Sequence, residues 1–151
     1  IVNKDIKITL VESNKKKCEF LKVVKVSLNL QNVEIINARA EDFAKTNREK
    51  FEVATSRAVA NLSTLLELEF PALSVGGVLI ALKSNVQEEL ENSKSILKEL
   101  NGTIKNTIEY TLPYEKSKRT LLIIQKQLLT NPKYPRQYSQ IIKSQKSMKK
   151  I

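Results

Sequence analysis

Residues 75–82, VGGVLIAL, are apolar at nearly every position, and this run constrains the fold more than any other feature. A strand with one wet face alternates apolar and polar residues, whereas an unbroken apolar run belongs to a strand buried on both faces. Such strands sit in parallel sheets covered by helices, so strand and helix patterns should alternate on either side of the run. They do. Residues 7–12 (KITLVE) and 33–36 read as strands, and residues 51–55 as another. Between the first two, Cys18, Leu21, Val24 and Leu28 give residues 15–29 near-helical spacing, with Ser13 or Asn14 as the cap. Residues 40–44 read as one helical turn. Leu62, Leu65, Leu66, Leu68 and Phe70 suit a helix that stops at Pro71.

Beyond the central run, residues 86–100 read as a helix with Val86, Leu90, Leu97 and Leu100 on its sheet side. Asn85 and Glu88 resemble a capping box at its start, Glu91 and Lys94 pair on its wet side, and Asn101–Gly102 stops it. Residues 103–112 and 119–125 are strand-like with no helix between them, so they should be antiparallel and joined through 113–118. Gly76–Gly77 reads as a tightened turn at the start of the central strand. The expected fold is therefore α/β, with a mostly parallel sheet and a C-terminal antiparallel hairpin. Pro132 and Pro135 break regular structure, so residues 130–151 read as an extended or partly disordered arm. The expected division is 1–126 as the sheet domain and 127–151 as a basic tail.

Composition narrows the chemistry. The 151 residues contain one cysteine, Cys18, and no histidine. That excludes a disulfide framework within the chain, histidine–metal ligation, and Ser-His or Cys-His dyads, and it fits a reducing compartment. No metal is expected. No apolar stretch approaches the roughly 20 residues needed to cross a bilayer, and no signal peptide is visible. The formal net charge is +10, and residues 127–151 hold six basic residues, Lys133, Arg136, Lys143, Lys146, Lys149 and Lys150, with no acid. A basic end of this kind suits phosphate contact through counterion release, although a solvated lysine-rich end that only aids solubility has the same composition. The chain starts at Ile1 without an initiator methionine, inside what reads as a linker before a strand, so a fragment whose N-terminus has been lost is expected.

In open α/β sheets, ligands bind beyond the carboxyl ends of the strands. The first strand ends at Glu12, the second leads into Asn37-Ala38-Arg39-Ala40-Glu41, the third ends at Ser56-Arg57, and the fourth at Lys83-Ser84. Strands often end on polar residues, but four in succession form a candidate rim. Glu12 is placed to accept hydrogen bonds from ribose hydroxyls. The turn at Ala40–Glu41 can offer backbone N–H groups to an adenine edge. Arg57 suits a carboxylate or an RNA phosphate, and Lys83 a phosphate. Neither G-x-x-x-x-G-K-[ST] nor G-x-G-x-x-G occurs, and the chain has only three glycines.

The segments LVES (10–13), ARAEDFA (38–44), SRAVANL (56–62), ALKS (81–84) and TNPKYPR (130–136) together resemble the bacterial RsmG (GidB) family. The resemblance spans nearly the whole chain. It implies a class I, Rossmann-like, S-adenosylmethionine-dependent methyltransferase sheet and methylation of a guanine N7 in 16S ribosomal RNA, in the cytoplasm. It carries cofactor contacts onto Glu12, Ala40, Glu41 and Arg57. Arg39 and Lys83 match basic positions assigned to the active-site rim or to RNA, and Lys133 and Arg136 lie in the family's basic tail motif. No catalytic residue is certain; Arg57 and Lys83 are the rim candidates. The expected partner is 16S rRNA or a small-subunit precursor. A related methyltransferase with another acceptor, and a non-catalytic RNA-binding module on the same fold, stay open. Two strands that lack a neighbour, 7–12 and 51–55, lead to the expectation that the isolated chain is unstable and binds cofactor poorly.

Overall fold

The structure, a computed structural model, describes residues 1–57, 59–84 and 86–148. The chain divides into two compact units, residues 1–43 and 44–151.

In the first unit, β1 (Ile8–Glu12) and β2 (Val33–Asn37) pair in parallel, from Ile8 opposite Val33 to Glu12 opposite Asn37. Helix α1 (Lys15–Ser27) connects them. Asn14 caps it by accepting the Lys17 N–H at 3.2 Å. Cys18 is buried and its thiol donates to the Glu12 carbonyl at 3.2 Å, so it behaves as a small core residue. Leu28, expected on the buried face, instead follows the last helical residue and is 52% exposed. The helix stops because Asn29 takes a left-handed φ of 49°. Helix α2 (Ala40–Thr46) runs longer than the single turn expected.

In the second unit, β3 (Phe51–Arg57), β4 (Leu73–Lys83), β5 (Gly102–Thr111) and β6 (Lys118–Lys126) form one sheet in the order β3-β4-β6-β5. β3 and β4 are parallel; β6 is antiparallel to both β4 and β5, as expected of the terminal hairpin. Helix α3 (Leu62–Glu69) leads through a 3₁₀ turn (Phe70–Ala72) into β4, so Pro71 ends the α-helix as the sequence requires. Helix α4 (Val86–Glu99) follows β4. Leu62, Leu65, Leu66, Phe70, Leu79, Ala81, Leu100, Leu122 and Ile124 are buried in one core, with Val86, Leu90 and Leu97 packed on it. The Glu91–Lys94 pair forms at 2.7 Å on the wet face; such an exposed pair contributes at most about 1 kcal/mol. Asn85 of the expected capping box lies outside the described residues. The left-handed stop after α4 falls on Asn101, with φ 56°, while Gly102 is needed for close approach, since a Cβ there would meet Leu97 at 2.5 Å. Among the described residues β1 pairs only with β2, and β3 only with β4, so each is an edge strand, as expected.

Gly76–Gly77 departs from expectation. It lies inside β4, where the register against β3 shifts between Phe51 and Val53, so the pair makes a bulge and not a turn before the strand. Gly76 has φ 86°, and a Cβ on Gly77 would sit 2.9 Å from the Ser74 carbonyl oxygen and 3.0 Å from that of Glu52. Backbone atoms cannot give way cheaply. Gly77→Ala is expected to lower stability by about 1–3 kcal/mol, read as a lower denaturant midpoint at unchanged slope. An unchanged midpoint would show that the bulge has room to relax.

The C-terminal segment corrects the expectation of an extended arm. Residues 138–148 form α5 (Tyr138–Met148), and the stretch before it is fastened down. Arg48 donates to the Thr130 carbonyl at 2.6 Å and to the Tyr134 carbonyl. Tyr134 and Ile141 are buried. Gln145 donates to Thr64 Oγ1 at 2.8 Å and accepts from Asn61 at 2.9 Å. At the end of β6, Lys126 is fully buried, and its ammonium donates to Glu49 and to the carbonyls of Phe70 and Leu73 at 2.7–2.8 Å. Pro132 and Pro135 do prevent regular structure, but side-chain donors and two apolar anchors replace it.

Candidate functional site

The carboxyl edge of the first unit is built by register. Glu12 ends β1 directly beside Asn37 at the end of β2, and Asn37 Nδ2 donates to the Glu12 carbonyl at 2.8 Å. The Ala38 N–H also donates to that carbonyl, at 3.2 Å. The chain therefore leaves β2 against the end of β1 and enters α2 at Ala40. The Glu12 carboxylate is partly exposed; its Oε1 accepts the Asn14 N–H at 2.8 Å, and its Oε2 lies 3.9 Å from Lys17 Nζ. Glu41 is buried in the first turn of α2, with Arg39 Nε 3.4 Å from its carboxylate while Arg39 itself is largely exposed. Glu12, Ala40 and Glu41, proposed from sequence as a group, are gathered at one sheet edge.

The carboxyl edge of the second unit carries Arg57 and Lys83. β3 and β4 are parallel and Arg57 lies opposite Leu82, so both strands end on the same side of the sheet. Arg57 is exposed, and its side chain makes no hydrogen bond or ion pair among the described residues. Lys83 is the reverse. Its side chain is 8% exposed, and its ammonium lies 2.8 Å from Glu89 Oε2 and donates to the Ala60 carbonyl at 2.6 Å. The charge of Lys83 is thus engaged inside the unit and not offered to solvent. Glu89 Oε2 also accepts the Leu62 N–H, at 2.6 Å, which satisfies a donor of the first turn of α3. Sequence reasoning missed Glu89; its one signal is an acid in the first turn of a helix that follows a lysine-ended strand.

A second missed group lies beneath this edge. Glu69 Oε2 and Ser56 Oγ are both buried without a hydrogen-bond partner. Burial pushes the Glu69 carboxyl up to about 7, opposed by the neighbouring Ser56 hydroxyl and the Lys83 charge. Two basic residues of the tail motif also find acids. Lys133 pairs with Glu99 while keeping about half its side chain exposed, and Arg136 grips the buried Glu67.

A family model described as rRNA small subunit methyltransferase G (GidB) matches residues 1–128. The chain belongs to the rRNA small subunit methyltransferase G family. The ribosomal RNA small subunit methyltransferase G of Fusobacterium nucleatum subsp. nucleatum is 44% identical over 136 residues, which is 90% of this chain and 59% of that protein. The Acetivibrio thermocellus methyltransferase G is 41% identical over 138 residues, covering 90% of this chain and 57% of the relative. The chain thus spans somewhat more than half the length of these methyltransferase G relatives. Among solved structures, an rRNA methylase from Streptococcus thermophilus superposes with TM-score 0.56 at 19% identity, over 81% of this chain and 74% of that one. A geranyl diphosphate methyltransferase in complex with SAM superposes with TM-score 0.58 at 9% identity, over 82% and 69% of the two chains. The α/β fold is that of the class I, Rossmann-like methyltransferases, with the antiparallel β5–β6 pair at its C-terminal end.

Proposed function

We propose that the protein containing this chain transfers a methyl group from S-adenosyl-L-methionine to N7 of a guanine in 16S rRNA or a small-subunit precursor, in the bacterial cytoplasm. The observation that carries the reading is the edge where Glu12 and Asn37 end adjacent strands and α2 begins at Ala40. Its donor set fits a nucleoside. The outer carboxylate oxygen of Glu12 can accept ribose hydroxyls, because the inner one already holds the Asn14 N–H. Glu41 is turned inward to Arg39, so the Ala40–Glu41 turn would act through its backbone and the small Ala40 side chain. Arg57, exposed and without a protein partner among the described residues, would hold a carboxylate by charge-assisted hydrogen bonds. When bound, the cofactor supplies a methyl carried on a sulfonium.

Guanine N7 presents an in-plane lone pair and needs no deprotonation before attack. The residues therefore have to align the reacting atoms at about 3–3.5 Å, and a general base is unnecessary. A chain without histidine suits that chemistry. Arg39 and Lys133 keep exposed cationic side chains, at 59% and 54%, and are the proposed RNA contacts.

Two measurements test the proposal. Labelled methyl is expected to appear at guanine N7 in naked or partly assembled small-subunit rRNA; label on adenine, cytosine or protein would overturn the assignment. Calorimetry should show S-adenosylmethionine binding that Arg57→Ala weakens by roughly 10- to 100-fold, the worth of one hydrogen-bonded charge. Absent cofactor binding would favour a non-catalytic RNA-binding module.

A further inference from the structure

Arg57 raises a positional problem. Its guanidinium has no protein group to aim it among the described residues, so its direction is set by its own backbone. On the strand side that backbone is held by pairing with β4. On the helix side the chain enters α3 at Leu62, and besides the Asn61–Gln145 hydrogen bond three fastenings are visible there. Lys83 Nζ donates to the Ala60 carbonyl at 2.6 Å. Glu89 Oε2 accepts the Leu62 N–H at 2.6 Å. Asn61 accepts the Thr64 N–H at 3.0 Å through its side chain. The first two are one device, because Lys83 and Glu89 are themselves an ion pair at 2.8 Å.

We propose that Lys83 and Glu89 are positioning residues for Arg57: together they tie Ala60 and Leu62, shortly after Arg57, to β4 and α4, so that Arg57 meets its ligand already aimed. This rests on the reading that Arg57 holds the cofactor. It assigns Lys83 a different task from a phosphate contact. A lysine with 8% of its side chain exposed, and with an acid at 2.8 Å, presents little charge to a polyanion. The low exposure also raises the strength of the pair, because few waters compete for it. Glu89 has two jobs on one oxygen, since Oε2 takes both the Leu62 N–H and the Lys83 ammonium. Moving the lysine therefore disturbs the first turn of α3 as well as the Ala60 carbonyl. Preorganisation of this kind raises affinity by lowering the cost of ordering a side chain on binding.

The test uses the whole protein containing this chain, with S-adenosylmethionine as the calorimetric probe and 16S rRNA as the binding probe. Three single variants are compared, Arg57→Ala, Lys83→Met and Glu89→Gln, together with the two double variants that combine Arg57→Ala with each of the others. Glu89→Gln keeps an acceptor for the Leu62 N–H while removing the ion pair, so it guards against a Lys83 variant that does not fold. Positioning predicts that Lys83→Met and Glu89→Gln each weaken cofactor binding by about tenfold, and that neither adds its full effect to Arg57→Ala. It also predicts faster hydrogen exchange of the Leu62 amide in Lys83→Met, with global protection elsewhere retained. The salt slope of RNA binding should not change. If Lys83 instead touches a phosphate, Lys83→Met will lower the salt slope by about 1 while Glu89→Gln does not, and the proposal fails. It also fails if Arg57→Ala weakens cofactor binding but the other two variants and the Leu62 exchange stay at wild-type values. An Arg57→Ala variant with undiminished cofactor affinity would instead bring down the reading of Arg57 itself.

Discussion

Arg136→Ala is expected to destabilise the protein by about 3–5 kcal/mol, the cost of leaving a buried carboxylate without its partner. Glu67 is 1% exposed, in the middle of α3 among core leucines. Arg136 serves it three times: the backbone N–H donates to Oε1 at 3.0 Å, Nε to Oε1 at 2.7 Å, and Nη2 to Oε2 at 2.7 Å. Bidentate geometry of this kind is specific to arginine, so Arg136→Lys should recover only part of the loss. The double variant Glu67→Leu with Arg136→Met removes both charges and should return most of the stability, because replacing a buried pair by apolar groups is often neutral. Denaturant midpoints check all three. A residue whose main role is to contact RNA phosphates would behave otherwise: Arg136→Ala would then leave the midpoint within about 0.5 kcal/mol of wild type and reduce the salt slope of RNA binding.

The second large effect depends on pH. Burial raises the Glu69 carboxyl from 4.5 to about 7, against the pull of Ser56 and Lys83. This is the reverse of the usual carboxylate case. Between these two values the unfolded chain has released the proton while the folded chain still holds it. The folded state therefore binds more protons, and stability falls as pH rises through that window. The loss is complete above about 7 and amounts to roughly 3 kcal/mol at 1.36 kcal/mol per unit. Glu69→Gln keeps the neutral shape at every pH. Relative to wild type it should gain stability steadily from pH 5 to pH 8, by up to about 3 kcal/mol. Midpoints measured for both proteins in matched buffers cancel the contributions of other groups. Parallel profiles would mean that Glu69 ionises in the fold as easily as in the unfolded chain.

Much of the fold was legible because its determinants are local. The apolar run 75–82 lies within a strand paired on both edges, although it is not buried on both faces as expected, since only alternate residues are buried and Val75 is 51% exposed; the missing helix between 103–112 and 119–125 correctly marked an antiparallel pair. What was misread depends on distance in the chain. Arg136 looked like part of a charged tail because its acid is 69 residues earlier, inside a leucine-rich helix. Lys83 is the exception: Glu89 is near it in sequence, but only the packing of α4 against the end of β4 makes them a pair. Gly76–Gly77 was visible as a backbone requirement, but only pairing with β3 distinguishes a bulge from a turn. The position of Glu12, Ala40 and Glu41 at one sheet edge was legible because strand ends can be counted. The buried Ser56 and Glu69 were not legible, because burial depth is a property of packing.

The separation between Glu67 and Arg136 bears on how the protein is made. A ribosome delivers α3 well before it delivers residue 136. Until then the Glu67 carboxylate has no guanidinium to meet, so α3 cannot bury it against the sheet without a lone charge in the core. Lys126 likewise waits at the end of β6 for Glu49, which was made long before. The second unit should therefore linger on the ribosome as a loosely packed nascent chain and reach its final packing only after residue 136 has emerged.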